Sequence, residues 1–420
     1  MNLKKQIILV FILSLFFLFS YFLLFSKFII YPTVIPMTSG GNTYLFADWT
    51  AVLGANLCKE LGYDVYLKNP CDPWGRTHVY GEILLHIPLV DEFKKFYFFI
   101  LPAIINYIFV IIVLTSLSFK SYKSYKKYFT ALVILFSFPV ILAIERGQFD
   151  ILIFILMVFL AYSKNKIINL FILIFATISK FYPIALAIMF FFEKNLKKIF
   201  INILIFFTTI SLIFFIQSDQ IISVFENLSS GRGQSSAVFA VYGFSLIGTI
   251  NFFKNSIFLI NDTNYSILIF VLFLLIPSII FFVRIIKYFF KESISKNINY
   301  NFFEDRLYIF SSVIILLCYF TFSSFVYREI FFIGLLPWIL KTKESNSDQK
   351  FFSIYYYLII SKFLVSTPIT FIYMNKIVKN INPVISIFKY TIDLYLISFI
   401  AAIFLAFFIR LLDFQKNKIS

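Results

Sequence analysis

The sequence predicts an all-α protein, a polytopic bundle of about twelve transmembrane helices with a structured first external loop. Of the 420 residues, 60% are hydrophobic and only 14% are charged, which leaves too little polar surface for a soluble domain. Apolar runs long enough to cross a bilayer recur from end to end. No internal repeat or linker interrupts them, so residues 1–420 are predicted to form a single membrane domain.

The first element is an apolar run that follows Lys4 and Lys5 and continues through about Phe25. It is too long for the apolar part of a signal peptide, and no cleavage site of small residues follows it. We therefore expect an uncleaved transmembrane helix with the lysine pair in the cytoplasm.

The loops between the apolar runs alternate in charge. One set is rich in lysine and arginine, at residues 120–127, 164–166, 194–198, 284–306, 341–350 and after 410. The other set carries mixed polar residues, at Asp48 and at residues 145–150, 179–183, 217–264 and 327–329. The positive-inside rule places the first set and both termini in the cytoplasm and the second set outside.

The net charge of +16 has the same explanation. Lysines in cytoplasmic loops lie beside anionic lipid head groups, so membrane lipids are expected partners and nucleic acid is not. Ionisable residues inside the predicted spans are scarce, Lys362, Lys389 and Asp393 being the doubtful ones. The candidate site is therefore expected at the outer ends of helices rather than at the midplane, where transporters bind their substrates.

Two predicted helices are unusually short. Residues 150–164 and 166–180 each allow about 21 Å of helix against a hydrocarbon core of about 30 Å. The turns at 146–150 and 179–183 should then lie below the outer surface, where irregular backbone must line a protein-enclosed or watery cavity. A cavity with arginine and lysine at its floor suits an amphiphile with an anionic head group.

The first external loop, residues 31–96, is the densest polar region. It holds Asp48 and Trp49, an amphipathic helical stretch over residues 50–61, and then Arg76 and His78. Aromatic faces and carboxylates of this kind are used to bind sugars, so Trp49, Arg76 and His78 are candidate acceptor or loop residues. The alternative is a folded loop in which the Asn-Pro and Asp-Pro steps are only turns.

A second group of polar residues lies at the predicted helix tips. One interpretation is a clamp in which cations pair with a phosphate and neighbouring polar groups bond to a sugar, at Arg146, Gln148, Asp150, Lys180, Tyr182 and Arg328. The other interpretation is a set of ion pairs that satisfy one another at helix ends.

Other chemistry has little support in the sequence. The two histidines, His78 and His86, have no zinc-ligand spacing around them, and phosphate-binding loops and serine-hydrolase elbows are missing. No Asp-x-Asp pair occurs. The sequence therefore predicts neither a metal nor a cofactor.

Of three cysteines, Cys318 lies in an apolar run, while Cys58 and Cys71 lie in the first external loop. An oxidising compartment would allow a disulfide between these two, which would hold residues 63–80 beside Asp48. Two unrelated thiols are the alternative, because the sequence does not show whether the Cα atoms approach each other.

The external motifs resemble the GT-C class of integral membrane glycosyltransferases, and more narrowly the polyprenol-phosphate-mannose-dependent mannosyltransferase family. The matching pieces are Asp48, Arg146-Gly147-Gln148-Phe149-Asp150 and Lys180-Phe181-Tyr182-Pro183. Residues 231–235 and 327–329 match only loosely. The resemblance implies a GT-C-like bundle, an inverting transfer without a metal, and Asp48 as the general base.

The expected function is transfer of a mannose-like hexose from a polyprenyl-phosphate donor to a lipid or glycan acceptor. The expected location is the periplasmic face of a bacterial cytoplasmic membrane. One alternative is a lipid-linked oligosaccharide polymerase or ligase, which would be expected to use Arg and His in a later external loop. That loop has Arg232 but no histidine. A second alternative is a lipid or solute transporter without covalent chemistry.

Overall fold

The structure is a computed structural model of the whole chain. It describes residues 3–26, 45–72, 75–117, 126–193, 195–229, 246, 249, 271–291, 302–321, 326–345, 349–365 and 382–416. Some of the sequence predictions fall on residues outside these ranges, among them the start of the first external loop (31–44), the segment 231–235 that contains Arg232, and parts of the lysine-rich loops at 120–125, 292–301 and 346–348.

The described part of the chain is all-helical, with 85% of residues in helices and no strands. The predicted helical class is therefore confirmed. The α-helices are α1 (Leu3–Ser26), α2 (Ala47–Glu60), α3 (Leu101–Ser116), α4 (Lys126–Leu135), α5 (Phe138–Arg146), α6 (Phe149–Tyr162), α7 (Lys166–Ser179), α8 (Leu196–Ile216), α9 (Ser218–Ser229), α10 (Ile276–Lys291), α11 (Phe303–Thr321), α12 (Leu336–Ser345), α13 (Gln349–Val365) and α14 (Asn382–Lys416). The 3₁₀ segments are Glu82–His86, Tyr182–Phe192 and Val326–Leu335, and the π-helical turns are Phe96–Ile100 and Val271–Leu275.

Three helices among the described residues are long and apolar enough to cross a membrane: Phe96–Ser116, Leu196–Ile216 and Phe388–Ile409. The number rises to four if α4 and α5, which meet at a bend of 56°, are counted as one broken span. The described helices therefore include segments that are long and apolar enough to cross a membrane. The expected number of about twelve spans stays a prediction.

The two short helices predicted between the candidate turns are confirmed. Helices α6 and α7 each have 14 residues and form no continuous span of their own. The amphipathic stretch at residues 50–61 is also helical, although α2 begins earlier, at Ala47, and so includes Asp48 in its first turn.

The chain divides into two compact units. The first unit contains residues 1–43, 107–142 and 240–410, and the second contains 44–106, 143–239 and 411–420. In the first unit, the buried core includes Tyr308, Trp338 and Phe407, whose rings contact one another. The second unit contains the first external loop and the turns that the sequence singled out.

Candidate functional site

The turn between α5 and α6 positions three polar side chains of the second unit: Arg146, Gln148 and Asp150. Helix α5 ends in a Schellman arrangement, in which Gly147 N–H donates to the Ile144 carbonyl and Gln148 N–H donates to the Ala143 carbonyl. Gly147 has a φ of +57°, which glycine adopts without the steric cost of a side chain. The reversal leaves Arg146 and Gln148 in the turn and Asp150 in the first turn of α6.

Helix α2 starts directly against this turn. The backbone N–H of Phe46, which caps α2 in a left-handed conformation, donates to the Glu145 carbonyl at 2.8 Å. A Cβ on Gly147 would lie 3.0 Å from the Cβ atoms of both Phe46 and Trp49. This close approach brings Asp48, next to Trp49, to the polar residues of the turn.

The carboxylate of Asp48 is buried and accepts hydrogen bonds from three side chains. Arg76 donates from Nη1 to Oδ1 at 2.7 Å, and Arg146 donates from Nη1 to both oxygens at 3.2 and 3.3 Å. The Gln148 amide also donates to Oδ2. Only 5% of Asp48 is exposed, so these partners replace water.

Arg76 connects Asp48 to a second carboxylate, Asp72. Its Nη2 donates to Asp72 Oδ1 at 2.9 Å, and its own backbone N–H donates to Asp72 Oδ2 at 2.9 Å. One guanidinium therefore bridges two buried carboxylates, a geometry that the planar fork of arginine allows.

The surrounding charges set the ionisation of Asp48. Burial alone would raise the pKa of this carboxyl group, but Arg146 and Arg76 outweigh it and hold the pKa below its ordinary value. The two aspartates in turn raise the pKa of Arg76, against the effect of burial. Asp48 is therefore an ionised hydrogen-bond acceptor at neutral pH.

A second ion pair lies beside the first, at Asp150. Lys180 donates from Nζ to Asp150 Oδ2 at 2.5 Å, and the Tyr182 hydroxyl donates to Oδ1 at 2.5 Å. The Lys180 ammonium also lies 5.2 Å from the centre of the Tyr80 ring. Asp150 itself is fully buried.

Aromatic rings join the two ion-paired groups. The Phe149 ring stacks on Trp49 at 5.9 Å and meets Tyr80 edge-on at 6.1 Å. The two groups therefore form one cluster, the Asp48 cluster, made of Asp48, Asp72, Arg76, Arg146, Gln148, Asp150, Lys180 and Tyr182. Three carboxylates and three cations balance its charge.

Comparison of the chain with protein-family models, with curated proteins and with solved structures finds no match. The resemblance to the mannosyltransferases stays a prediction that rests on the motif residues.

Trp49 and His78, two of the candidate acceptor residues, are buried in the second unit. The Trp49 indole donates to the Tyr97 carbonyl at 2.9 Å. His78 lies between the rings of Tyr66 and Tyr80, and burial lowers its pKa to about 3. The His78 imidazole is therefore neutral at physiological pH, and the contacts of both residues lie within the second unit.

Two constraints fix the loop that carries Arg76. Cys58 and Cys71 form a disulfide, with Cα atoms 5.8 Å apart, which ties the loop to the end of α2. The N–H of Gly81 donates to the Ser179 carbonyl at 3.0 Å, and a Cβ on Gly81 would overlap the Ile178 carbonyl oxygen at 1.6 Å. No side chain fits between the loop and the end of α7 at this position, so glycine is required there.

The first unit contains a separate buried cluster, which we call the Lys362 cluster. Lys362 pairs with Glu329 at 2.7 Å and with Asp393 at 2.5 Å, and Lys389 lies 3.9 Å from the other oxygen of Asp393. All four side chains are buried. Lys362 on α13 thus meets Lys389 and Asp393 on α14, together with Glu329 from the 3₁₀ segment Val326–Leu335.

The predicted site residues belong to both units of the chain. The structure brings Asp48, Arg76, Arg146, Gln148, Asp150, Lys180 and Tyr182 into one cluster, whereas half-buried Arg328 belongs to the first unit. The sequence did not single out Asp72 or Tyr80. The i, i+4 spacing of Asp72 and Arg76 was the available signal for the former.

Proposed function

We propose that the chain is an integral membrane hexosyltransferase that takes a mannose-like sugar from a polyprenyl-phosphate donor and passes it to a lipid or glycan acceptor. In this proposal the protein crosses a bacterial cytoplasmic membrane with about twelve spans in a GT-C-like arrangement. The Asp48 cluster then faces the periplasm, where the donor enters from the outer leaflet.

One observation carries the proposal: a buried, ionised carboxylate, Asp48, hydrogen-bonded to two arginines and an amide at the junction of α2, α5 and α6. A transferase of this type needs a base for the acceptor hydroxyl and cations for the leaving phosphate. The cluster supplies both kinds of group within hydrogen-bonding distance of each other.

In the proposed reaction, the acceptor oxygen attacks the anomeric carbon and its proton passes to Asp48. The bond between that carbon and the phosphate oxygen breaks, and the electron pair leaves with polyprenyl phosphate. Attack from the face opposite the leaving group inverts the anomeric centre. Arg146 and Lys180 stabilise the charge that develops on the phosphate.

The ion pairs define how the donor enters this site. Arg146 and Lys180 donate to Asp48 and Asp150, so in this proposal the phosphate shares both cations with these carboxylates. When the phosphate neutralises part of the charge of Arg146, the pKa of Asp48 rises toward its ordinary value. Donor binding thereby makes Asp48 a better base at the moment when the acceptor hydroxyl must lose its proton.

The proposal is tested by incubating the purified full chain with synthetic polyprenyl-phosphate mannose and an extract of cell-envelope lipids and glycans. The expected result is release of free polyprenyl phosphate together with transfer of labelled mannose to an acceptor. Polyprenyl-phosphate mannose that stays intact, while sugars from nucleotide donors are transferred, would overturn the proposed donor class.

A transporter or flippase is the second candidate function, and the Lys362 cluster favours it. Ionisable residues buried among apolar helices often mark ion or substrate pathways. Such a protein would move a lipid-linked sugar across liposome membranes without consuming it. Transport of intact donor by a chain with Asp48→Asn would favour this candidate over the transferase.

The polymerase or ligase alternative has no comparable support among the described residues, because its expected loop around Arg232 lies outside them. A chain of this class would extend or transfer a glycan linked to a polyprenyl diphosphate. The incubation above distinguishes it when both donor types are supplied separately.

A further inference from the structure

The second unit contains an open cavity of about 250 Å³ that is separate from the Asp48 cluster. It lies where the end of α2 meets the start of α9, and it is lined by Lys59, Tyr63, Asp64, Tyr66, Glu82 and Asp219, among others. Helix α9 follows the apolar helix α8 directly, so the cavity lies just beyond the end of a candidate span.

The floor of the cavity is a cluster of buried side chains. Buried Ala55, Cys58, Leu85 and Val224 pack around Tyr66, and half-buried Cys71 joins them. The disulfide between Cys58 and Cys71 therefore fixes this floor as well as the loop of the Asp48 cluster. The crosslink limits the motion of this floor, which lowers the entropic cost of ordering it when a ligand binds.

Tyr66, one of the lining residues, has a buried hydroxyl group. Only 7% of Tyr66 is exposed, and its hydroxyl has no hydrogen-bond partner within the described ranges. Burial, with the nearby carboxylates Glu82 and Asp64, raises the pKa of Tyr66, so the hydroxyl stays protonated and can donate. A buried donor without an acceptor costs stability, and a ligand oxygen that reaches the hydroxyl through a small movement of the lining side chains would remove that cost.

The side chains that line the cavity carry more negative than positive charge, which restricts the class of ligand. Asp64, Glu82 and Asp219 face one cation, Lys59, which is bonded to Glu82 at 3.1 Å. The excess of carboxylates disfavours phosphate and favours groups that donate hydrogen bonds. Within the described ranges, no three His, Cys, Asp or Glu side chains converge as metal ligands, so a metal ion is a poor fit.

The remaining lining residues suit a sugar. Tyr63 is 43% exposed and offers a ring face at the rim, while Gln220 and Ser223 add amide and hydroxyl groups. Rings pack against the C–H face of a pyranose, while carboxylates and amides bond to its hydroxyl groups.

We propose that this cavity is a distal glycan-binding site, which takes a neutral, hydroxyl-rich part of the acceptor and excludes the anionic donor. Its assignment to the acceptor rests on the proposed transferase function. Lys59 and Asp48 lie on the same helix, eleven residues apart, which corresponds to about 16 Å along the axis. The cavity therefore binds a part of the acceptor that is distant from the reacting hydroxyl group. The binding energy gained there helps to position that hydroxyl group for reaction.

The test is saturation-transfer NMR on the detergent-solubilised full chain, with mannobiose, maltose and chitobiose as probes and without any donor. At least one disaccharide should give a signal with the unmodified chain. Tyr66→Phe and Asp64→Asn should each weaken that affinity by about five- to tenfold, the effect of one lost hydrogen bond. Tyr162→Phe, which alters an exposed tyrosine outside the cavity, is the matched control and should bind as the unmodified chain does.

A second measurement separates binding from folding. Because the Tyr66 hydroxyl lacks a partner, Tyr66→Phe should leave the melting temperature unchanged or raise it, whereas a structural role would lower it. The proposal is overturned if no disaccharide binds, or if Tyr66→Phe binds as tightly as the unmodified chain. Since no donor is present, disaccharide binding can succeed when mannose transfer fails, and mannose transfer can succeed when disaccharide binding fails.

Discussion

Arg76 donates a 2.7 Å hydrogen bond to Asp48 across 28 positions of sequence. The same guanidinium bonds to Asp72, and both carboxylates are nearly inaccessible to solvent. Asp48 is thus held in place and ionised by a residue of the loop, in addition to the arginine at the end of α5. This relationship connects the loop to the proposed chemistry and gives the first prediction.

Replacing Arg76 with glutamine should move the acid limb of the pH–rate profile to higher pH. Arg76 lowers the pKa of Asp48, and only ionised Asp48 can accept the acceptor proton. Removing that charge raises the pKa, so protonation inactivates the base at a higher pH. The measurement is the initial rate of mannose transfer across the acidic range, and an acid limb that stays in place or moves lower would contradict the assignment. Lys94→Gln, an exposed cation paired with Asp91, is the control and should keep the original profile.

Arg146→Ala and Lys180→Ala should each weaken the binding of polyprenyl phosphate by about ten- to a hundredfold, the effect of one lost charge-assisted hydrogen bond. The loss should be the same for polyprenyl phosphate with or without its sugar, because both cations are assigned to the phosphate. Binding is measured by titrating the purified chain in detergent, with Lys94→Ala as the control. If both variants bind the sugar-free lipid as tightly as the unmodified chain, the clamp is wrong.

Some parts of the Asp48 cluster could be predicted from the sequence, and others could not. The position of α2 follows from amphipathic spacing, and the short helices α6 and α7 follow from the charges that bound them. Asp48, Arg146 and Lys180 could be chosen because polar residues at helix ends are unusual in so apolar a chain. Their pairing partners could not be predicted, because the sequence contains several residues of opposite charge for each of them. Only the tertiary structure determines which of these form an ion pair.

The Lys362 cluster shows the same limit. Lys362, Lys389 and Asp393 could be identified as anomalous inside apolar runs, but Glu329 had been grouped with Arg328 in a predicted external turn. Only tertiary packing pairs residue 329 with residue 362. The cavity around Tyr66 was beyond prediction for a related reason, since it combines the end of α2 with the start of α9.

Breaking the disulfide should destabilise the second unit. Cys58 and Cys71 are 13 positions apart, and closing a loop of this size stabilises the folded state by about 3 kcal/mol in the chain-entropy model. Cys71→Ser should therefore lower the melting temperature, and reductant should lower that of the unmodified chain but not of the variant. Cys318→Ala alters the buried cysteine that is not part of the disulfide and is the control for reductant sensitivity. Mass spectrometry that finds both thiols free in protein from its native membrane would refute the disulfide.

Lys362→Met should destabilise the first unit by about 3–5 kcal/mol, because it leaves buried Glu329 and Asp393 with too little positive charge. Combining it with Glu329→Gln should recover much of that loss, since the charges left in the cluster, Lys389 and Asp393, again balance. Thermal unfolding of the single and double variants in detergent measures both effects. A double variant less stable than Lys362→Met would contradict charge balance as the role of the pair.

The most direct test of the central claim is mannose transfer by the Asp48→Asn chain, compared with its binding of polyprenyl-phosphate mannose. Asparagine keeps the size of the side chain but cannot take the acceptor proton, so transfer should fall by about a hundredfold or more. Donor binding should persist, because the phosphate is assigned to Arg146 and Lys180, and Asp48→Glu should retain part of the activity if the asparagine variant proves unstable. Transfer by a folded Asp48→Asn chain at more than about a tenth of the original rate would contradict the assignment of Asp48 as the base.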